Sequence, residues 1–220
     1  MNLLLKEEIS SIINQIQRSD APTYSGDEGD VIFEDTNETS FDIVDSKVDR
    51  HFIRPYQTGT ASYINSSDRG PYDLRFICYD EYIHRFVYDD KKGNTHKSRL
   101  KDGMKVADYL VFDKSKDKVY FIVHELSGGS ITNKRAHAKK QLSDTLNQLY
   151  KSKAIAKFID CFSIKYCIIS AKDHRKTVST NGLAEGFEKI YKIIPEPVKF
   201  TFGQMKTFHF IGLETSIVNL

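Results

Sequence analysis

Asp108 and Glu125 are carboxylates set in sequence that otherwise reads as core strand. The run from Val106 to Leu126, VADYLVFDKSKDKVYFIVHEL, holds two apolar segments around a short charged turn, and each segment carries one acid. Burying an ionised carboxylate costs several kcal/mol unless a partner compensates it. On neighbouring strands the two acids would share one cation, and a hard ion such as Mg²⁺ or Mn²⁺ takes oxygen ligands of this kind. Such an ion lowers the pKa of water and offsets charge developing on phosphorus. Taken singly, Asp108 is a turn-capping residue at a strand start and Glu125 is a water-facing edge residue. Together on paired strands they point to a metal.

The elements that must position them are legible from periodicity. Val106 to Phe112 and Lys118 to Leu126 read as adjacent antiparallel strands, with Asp113 to Asp117 a turn of hairpin length. After Ser127, Gly128 and Gly129 the period changes to that of a helix, with Ile131, Ala138, Leu142, Thr145, Leu146 and Leu149 on one stripe and Ser130 or Thr132 as N-cap. Leu5, Ile9, Ile12, Ile13 and Ile16 give the first eighteen residues a buried helical stripe.

Residues 20–30, with Pro22, Gly26 and Gly29, read as loop, and Pro55 to Pro71 as a long excursion. Val31 to Glu34, Phe41 to Val44, Asp73 to Tyr79 and Tyr82 to Tyr88 read as short strands, with a turn over Asp90 to Asn94. Phe162 to Ser170 is a central strand, apolar on both faces in its second half. A helical piece over Gly182 to Tyr191 and strands over Val198 to Phe202 and Thr207 to Leu213 complete the chain. The expected fold is α/β, a mixed sheet flanked by helices in a single domain of 220 residues: N-terminal helix 2–18, core 74–170, C-terminal helix and strands 182–213.

This order, with an acid on each arm of the hairpin, resembles the PD-(D/E)xK nuclease superfamily, the restriction-endonuclease-like fold. The resemblance covers Val106 to Ser170. It implies a helix, three antiparallel strands, a helix and a fourth strand, with Mg²⁺ (or Mn²⁺) held by Asp108 and Glu125 and a backbone carbonyl near Leu126. It implies a hydrolase cutting phosphodiester bonds of DNA. The family's lysine two residues after the second acid is Ser127 here, giving Glu-Leu-Ser. Some members move that lysine onto the following helix, where Lys134 stands seven residues before Gln141 on the same face. Gln141, sixteen residues after Glu125, is similar to the helix glutamine of the RecB-like branch, although the tyrosine that usually follows by four is Thr145. The resemblance thus implies catalytic roles for Asp108, Glu125, Lys134 and Gln141. The other reading open at this point is an inactive copy that serves as a binding or interaction module.

Charge distribution fits a phosphate-bearing partner. Residues 131–157 carry Lys134, Arg135, Lys139, Lys140, Lys151, Lys153 and Lys157 against Asp144, while residues 20–50 hold ten acids against Lys47 and Arg50. Lys134, Arg135, Lys139 and Lys140 are the expected DNA-backbone contacts. A protein partner or a second copy of the chain stays open. His124 alternates with Glu125 and is expected on the opposite face, as a core histidine. No apolar run approaches the ~20 residues of a bilayer span, and Lys6, Glu7 and Glu8 break any leader core, so a cytoplasmic setting without membrane contact is expected. Cys78, Cys161 and Cys167 form no CxxC pair and are expected as inert buried thiols. There is no phosphate-binding glycine loop, HExxH or nucleophile elbow.

Overall fold

A computed structural model describes residues 1–26, 29–45, 51–89, 97–127, 131–171 and 196–220. The first half of the chain holds α1 (Asn2–Ile16), β1 (Phe33–Thr36), β2 (Ser40–Ile43), β3 (Ile53–Pro55), β4 (Ala61–Ile64), β5 (Leu74–Cys78), α2 (Tyr79–His84), β6 (Val87–Tyr88) and β7 (Lys97–Ser98). The second half holds β8 (Tyr109–Asp113), β9 (Tyr120–Ser127), α3 (Ile131–Leu149), α4 (Lys153–Ile159), β10 (Ile164–Ala171), β11 (Val198–Phe200), α5 (Gly203–Phe208), β12 (Ile211–Glu214) and β13 (Ile217–Asn219).

The architecture is α/β, built on a seven-stranded mixed sheet in the order β1-β5-β8-β9-β10-β12-β11. β5, β8 and β9 form an antiparallel meander, and β9 and β10 run parallel, as a connection through α3 and α4 permits. β12 continues the parallel set. Every residue of β8 and β9 is buried, because side chains leave both faces of these central strands into packed layers.

Alternation assigns the two faces. Ile77, Leu110, Phe112, Phe121, Val123, Cys167 and Ile169 meet the helices, including the α1 stripe of Leu5, Ile9, Ile12, Ile13 and Ile16. Phe76, Tyr109, Val111, Ile122 and Ile168 meet a second, four-stranded sheet in the order β13-β4-β2-β3 through Phe41, Tyr63 and Phe52. Each large apolar side chain so buried contributes about 1.5–3 kcal/mol of transfer free energy.

Several expectations are corrected. Tyr82 to Tyr88 is not one strand: Tyr79–His84 is helical, with Asp80 and Glu81 in its first turn, and only Val87–Tyr88 is extended. The excursion from Pro55 to Pro71 contains β4, which is held by pairing with β2 and β13. Thr207 to Leu213 divides into the end of α5 and β12. The first short strand lies at Phe33–Thr36, not Val31 to Glu34. Cys161 is exposed, in the turn after α4, while Cys78 and Cys167 are buried. Thr132 lies inside α3 and not at its N-cap. Ser130, the turn over Asp90 to Asn94 and the helical piece over Gly182 to Tyr191 fall outside the described residues.

Candidate metal centre

Asp108 immediately precedes β8, and Glu125 lies near the end of β9. Tyr109 pairs with His124 across the two strands, so continuing the register by one residue sets Asp108 opposite Glu125. Two reciprocal bonds fix them: the Leu126 N–H donates to Asp108 Oδ2 at 2.7 Å, and the Asp108 N–H donates to the Glu125 carboxylate. Asp108 is half-buried and Glu125 is buried.

A third acid comes from α2. The Asp108 carbonyl accepts from the N–H groups of Tyr79 at 2.8 Å and Asp80 at 3.4 Å, which ties the first turn of α2 to the strand entry. Asp80 is buried, its carboxylate 2.8 Å from His84 Nδ1. Burial, the Asp108 carboxylate and the Asp80 carboxylate together push the Glu125 carboxyl well above its ordinary range, against the hydrogen bonds from Asp108 and Gln141. Glu125 Oε2 is buried and has no hydrogen-bond partner among the described residues.

Gln141 reaches this cluster from α3. Its Nε2 donates to the Val106 carbonyl at 2.9 Å, and its side chain also donates to Glu125. One turn on, Asp144 accepts from the Lys105 N–H at 3.1 Å and Thr145 Oγ1 accepts from the Ala107 N–H at 2.8 Å. Gln141, Asp144 and Thr145 therefore grip three consecutive backbone positions leading to Asp108. Thr145 fills this role where the resembled branch carries tyrosine.

The basic residues of α3 are distributed differently. Lys134 is exposed, and among the described residues the charges acting on Glu125 are those of Asp108 and Asp80. Arg135 pairs with Glu214 of β12, Lys140 pairs with Asp144 at 2.7 Å, and the Lys139 ammonium lies 5.2 Å from the Phe200 ring centre. The structure thus brings Asp108, Glu125 and Gln141 together and leaves Lys134 at the surface. Ser127, the last residue of β9, is buried and pairs with Ala171.

His124 faces the second sheet, as its alternation with Glu125 requires. It is fully buried between Tyr63 Oη at 2.6 Å from Nδ1 and Ser170 Oγ at 2.8 Å from Nε2.

Asp80 and Glu214 were not marked by sequence. Asp80 sits where the strand pattern Asp73 to Tyr79 gives way to helix, and the Asp80-Glu81 pair in the first turn was the available signal. Glu214 directly follows an apolar run read as a strand, and only its tertiary partner distinguishes it from a surface acid.

The donor set fits a hard divalent cation. Converging carboxylates and an orphaned buried oxygen are an arrangement that a positive charge would relieve. Among the described residues no three His, Cys, Asp or Glu side chains form a ready cage for an ion. Asp108 and Glu125 would therefore hold the ion with waters filling the other positions, the usual state of Mg²⁺. Comparison with family models, with curated proteins and with solved structures returned no match.

Proposed function

We propose that this chain is a Mg²⁺- or Mn²⁺-dependent nuclease of the PD-(D/E)xK type that hydrolyses phosphodiester bonds of DNA. The observation that carries the reading is Asp108, at the entry to β8, set beside Glu125 of the antiparallel β9 by its bond from the Leu126 N–H, with Gln141 reaching the Glu125 carboxylate from the helix that follows. The element order from α1 through β5, β8, β9, α3 and β10 supports it, being the order that the superfamily implies.

Asp108 and Glu125 would hold the ion, which when bound lowers the pKa of water and offsets charge at phosphorus. The Asp108 carboxylate is oriented by the Leu126 N–H, and Glu125 by the Asp108 N–H and Gln141. Asp80 adds negative charge that makes a cation at Glu125 more favourable. The neutral Ser127 hydroxyl supplies no charge, so the cationic part of the motif rests with Lys134 at the exposed start of α3. The cellular setting we propose is the cytoplasm, where free thiols such as Cys78 and Cys167 persist. Among the described residues no helix is long and apolar enough to cross a membrane.

Glu125→Gln keeps the shape of the side chain and removes its charge, so it should abolish metal-dependent cleavage of plasmid or oligonucleotide DNA. Cleavage that survives in Glu125→Gln contradicts the mechanism. The surface position of Lys134 favours a second reading, a nuclease-like fold that binds DNA without cutting it. Retained DNA binding by the wild type, with no cleavage in Mg²⁺ or Mn²⁺ across neutral to alkaline pH, would select that reading.

A further inference from the structure

Glu214 is a buried acid on the same row of the sheet as Glu125. Glu125 pairs with Ile169 on β10, and Ile169 pairs with Glu214 on β12, so the three side chains leave the same face. Two strand spacings separate the acids, about 10 Å. Glu214 takes up one guanidinium: Arg135 Nη2 donates to Oε1 at 2.9 Å and Nε lies 2.8 Å from Oε2. The Glu214 side chain is 3% exposed and the Arg135 side chain 48%. A buried carboxylate at the end of a central sheet thus fixes the inner edge of a guanidinium whose outer edge faces solvent. Arginine has five N–H donors in a rigid fork, so donors are left for an outside acceptor.

β9, β10 and β12 run parallel, so Glu125 and Glu214 lie toward the same, carboxyl ends of their strands, where α/β sheets commonly present ligand sites. The charge of DNA is dense, one phosphate per ~3.4 Å of helix axis on each strand, so groups about 10 Å apart can meet phosphates close to each other on the backbone.

We propose that Arg135, held by Glu214, is a phosphate-binding arm of the candidate nuclease site, gripping the DNA backbone close to the bond that is cut. Glu214 is then a positioning residue. This rests on the nuclease reading above.

The test uses the full chain and a fluorescein-labelled DNA duplex, with binding followed by anisotropy in Ca²⁺ over a series of KCl concentrations and cleavage followed in Mg²⁺. Arg135→Gln should lower the slope of log affinity against log salt by about 0.9, the loss of one phosphate contact. It should also weaken low-salt binding about tenfold and raise KM with kcat retained, while Arg135→Lys keeps the slope. If Arg135→Gln unfolds because buried Glu214 loses its guanidinium, the pair Arg135→Gln with Glu214→Gln removes both charges and should give the same readings. A slope and KM equal to wild type in Arg135→Gln, or in the double variant if the single one unfolds, would overturn the arm while leaving Glu125-dependent cleavage intact. Wild-type protein that neither binds nor cuts DNA would overturn the nuclease reading and the arm with it.

Discussion

His124 and Glu125 are neighbours in sequence that face opposite layers, and burial favours the neutral form of each, lowering the pKa of the base and raising that of the acid. Ser170 Oγ donates to the Thr215 carbonyl, so it must accept from His124 Nε2–H, which leaves Nδ1 to accept from the Tyr63 hydroxyl. That chain holds the imidazole neutral, and burial brings its pKa down to about 3. The unfolded chain binds a proton there below the ordinary value of 6.5 while the native state does not. Stability is therefore complete above pH 6.5 and falls by roughly 1.4 kcal/mol for each unit of pH lost toward 3 from this group alone. His124→Gln should flatten the fall in urea midpoint between pH 7 and pH 5, at some cost in stability at pH 7. An unchanged pH slope in that variant would contradict the network. Glu125 has the other sign: its raised pKa makes the native carboxyl favour its proton, so a metal at this site would compete with that proton and its binding is expected to strengthen as pH rises. Asp108, Glu125 and His124 were legible in the sequence because strand alternation alone fixes their faces. Asp80 and Glu214 were not, since each acquires its meaning from a partner distant in the chain.

Among the elements, α3 is the one that aligns the candidate site. Its Gln141, Asp144 and Thr145 hold Val106, Lys105 and Ala107, and the next residue is Asp108. Thr145→Val keeps the volume and removes the acceptor for a buried N–H, which should cost about 1–3 kcal/mol in urea denaturation. A variant as stable as wild type would show that Ala107 finds another acceptor and that the grip is dispensable. The helical stripe of α3 and the alternation of β8 and β9 were readable because each is long and strongly periodic. α2 was not, because Tyr82, Phe86 and Tyr88 satisfy a two-residue period, yet Tyr79, Tyr82 and Ile83 are buried at helical spacing. β4 is four residues in a Gly-, Ser- and Thr-rich stretch, and its strand character comes from β2 and β13 on either side.

At the scale of the whole molecule, helices cover one face of the seven-stranded sheet and the second sheet covers the other, so the acids of the site sit at the end of a sheet that is packed on both faces. The charge segregation seen along the chain is partly neutralised within the fold. Asp35 is paired with Arg75 and Lys114, Lys6 with Asp30, Arg135 with Glu214 and Lys140 with Asp144. Asp108 and Asp80 both act on the buried Glu125 carboxyl as like charges, and the central claim is that Asp108 and Glu125 hold a divalent cation. Calorimetric titration of Mn²⁺ into the wild type and into Asp108→Ala at two pH values tests this most directly. The account predicts binding by the wild type that tightens with rising pH and is lost in Asp108→Ala; absence of binding in the wild type, or equal binding in both proteins, would contradict it.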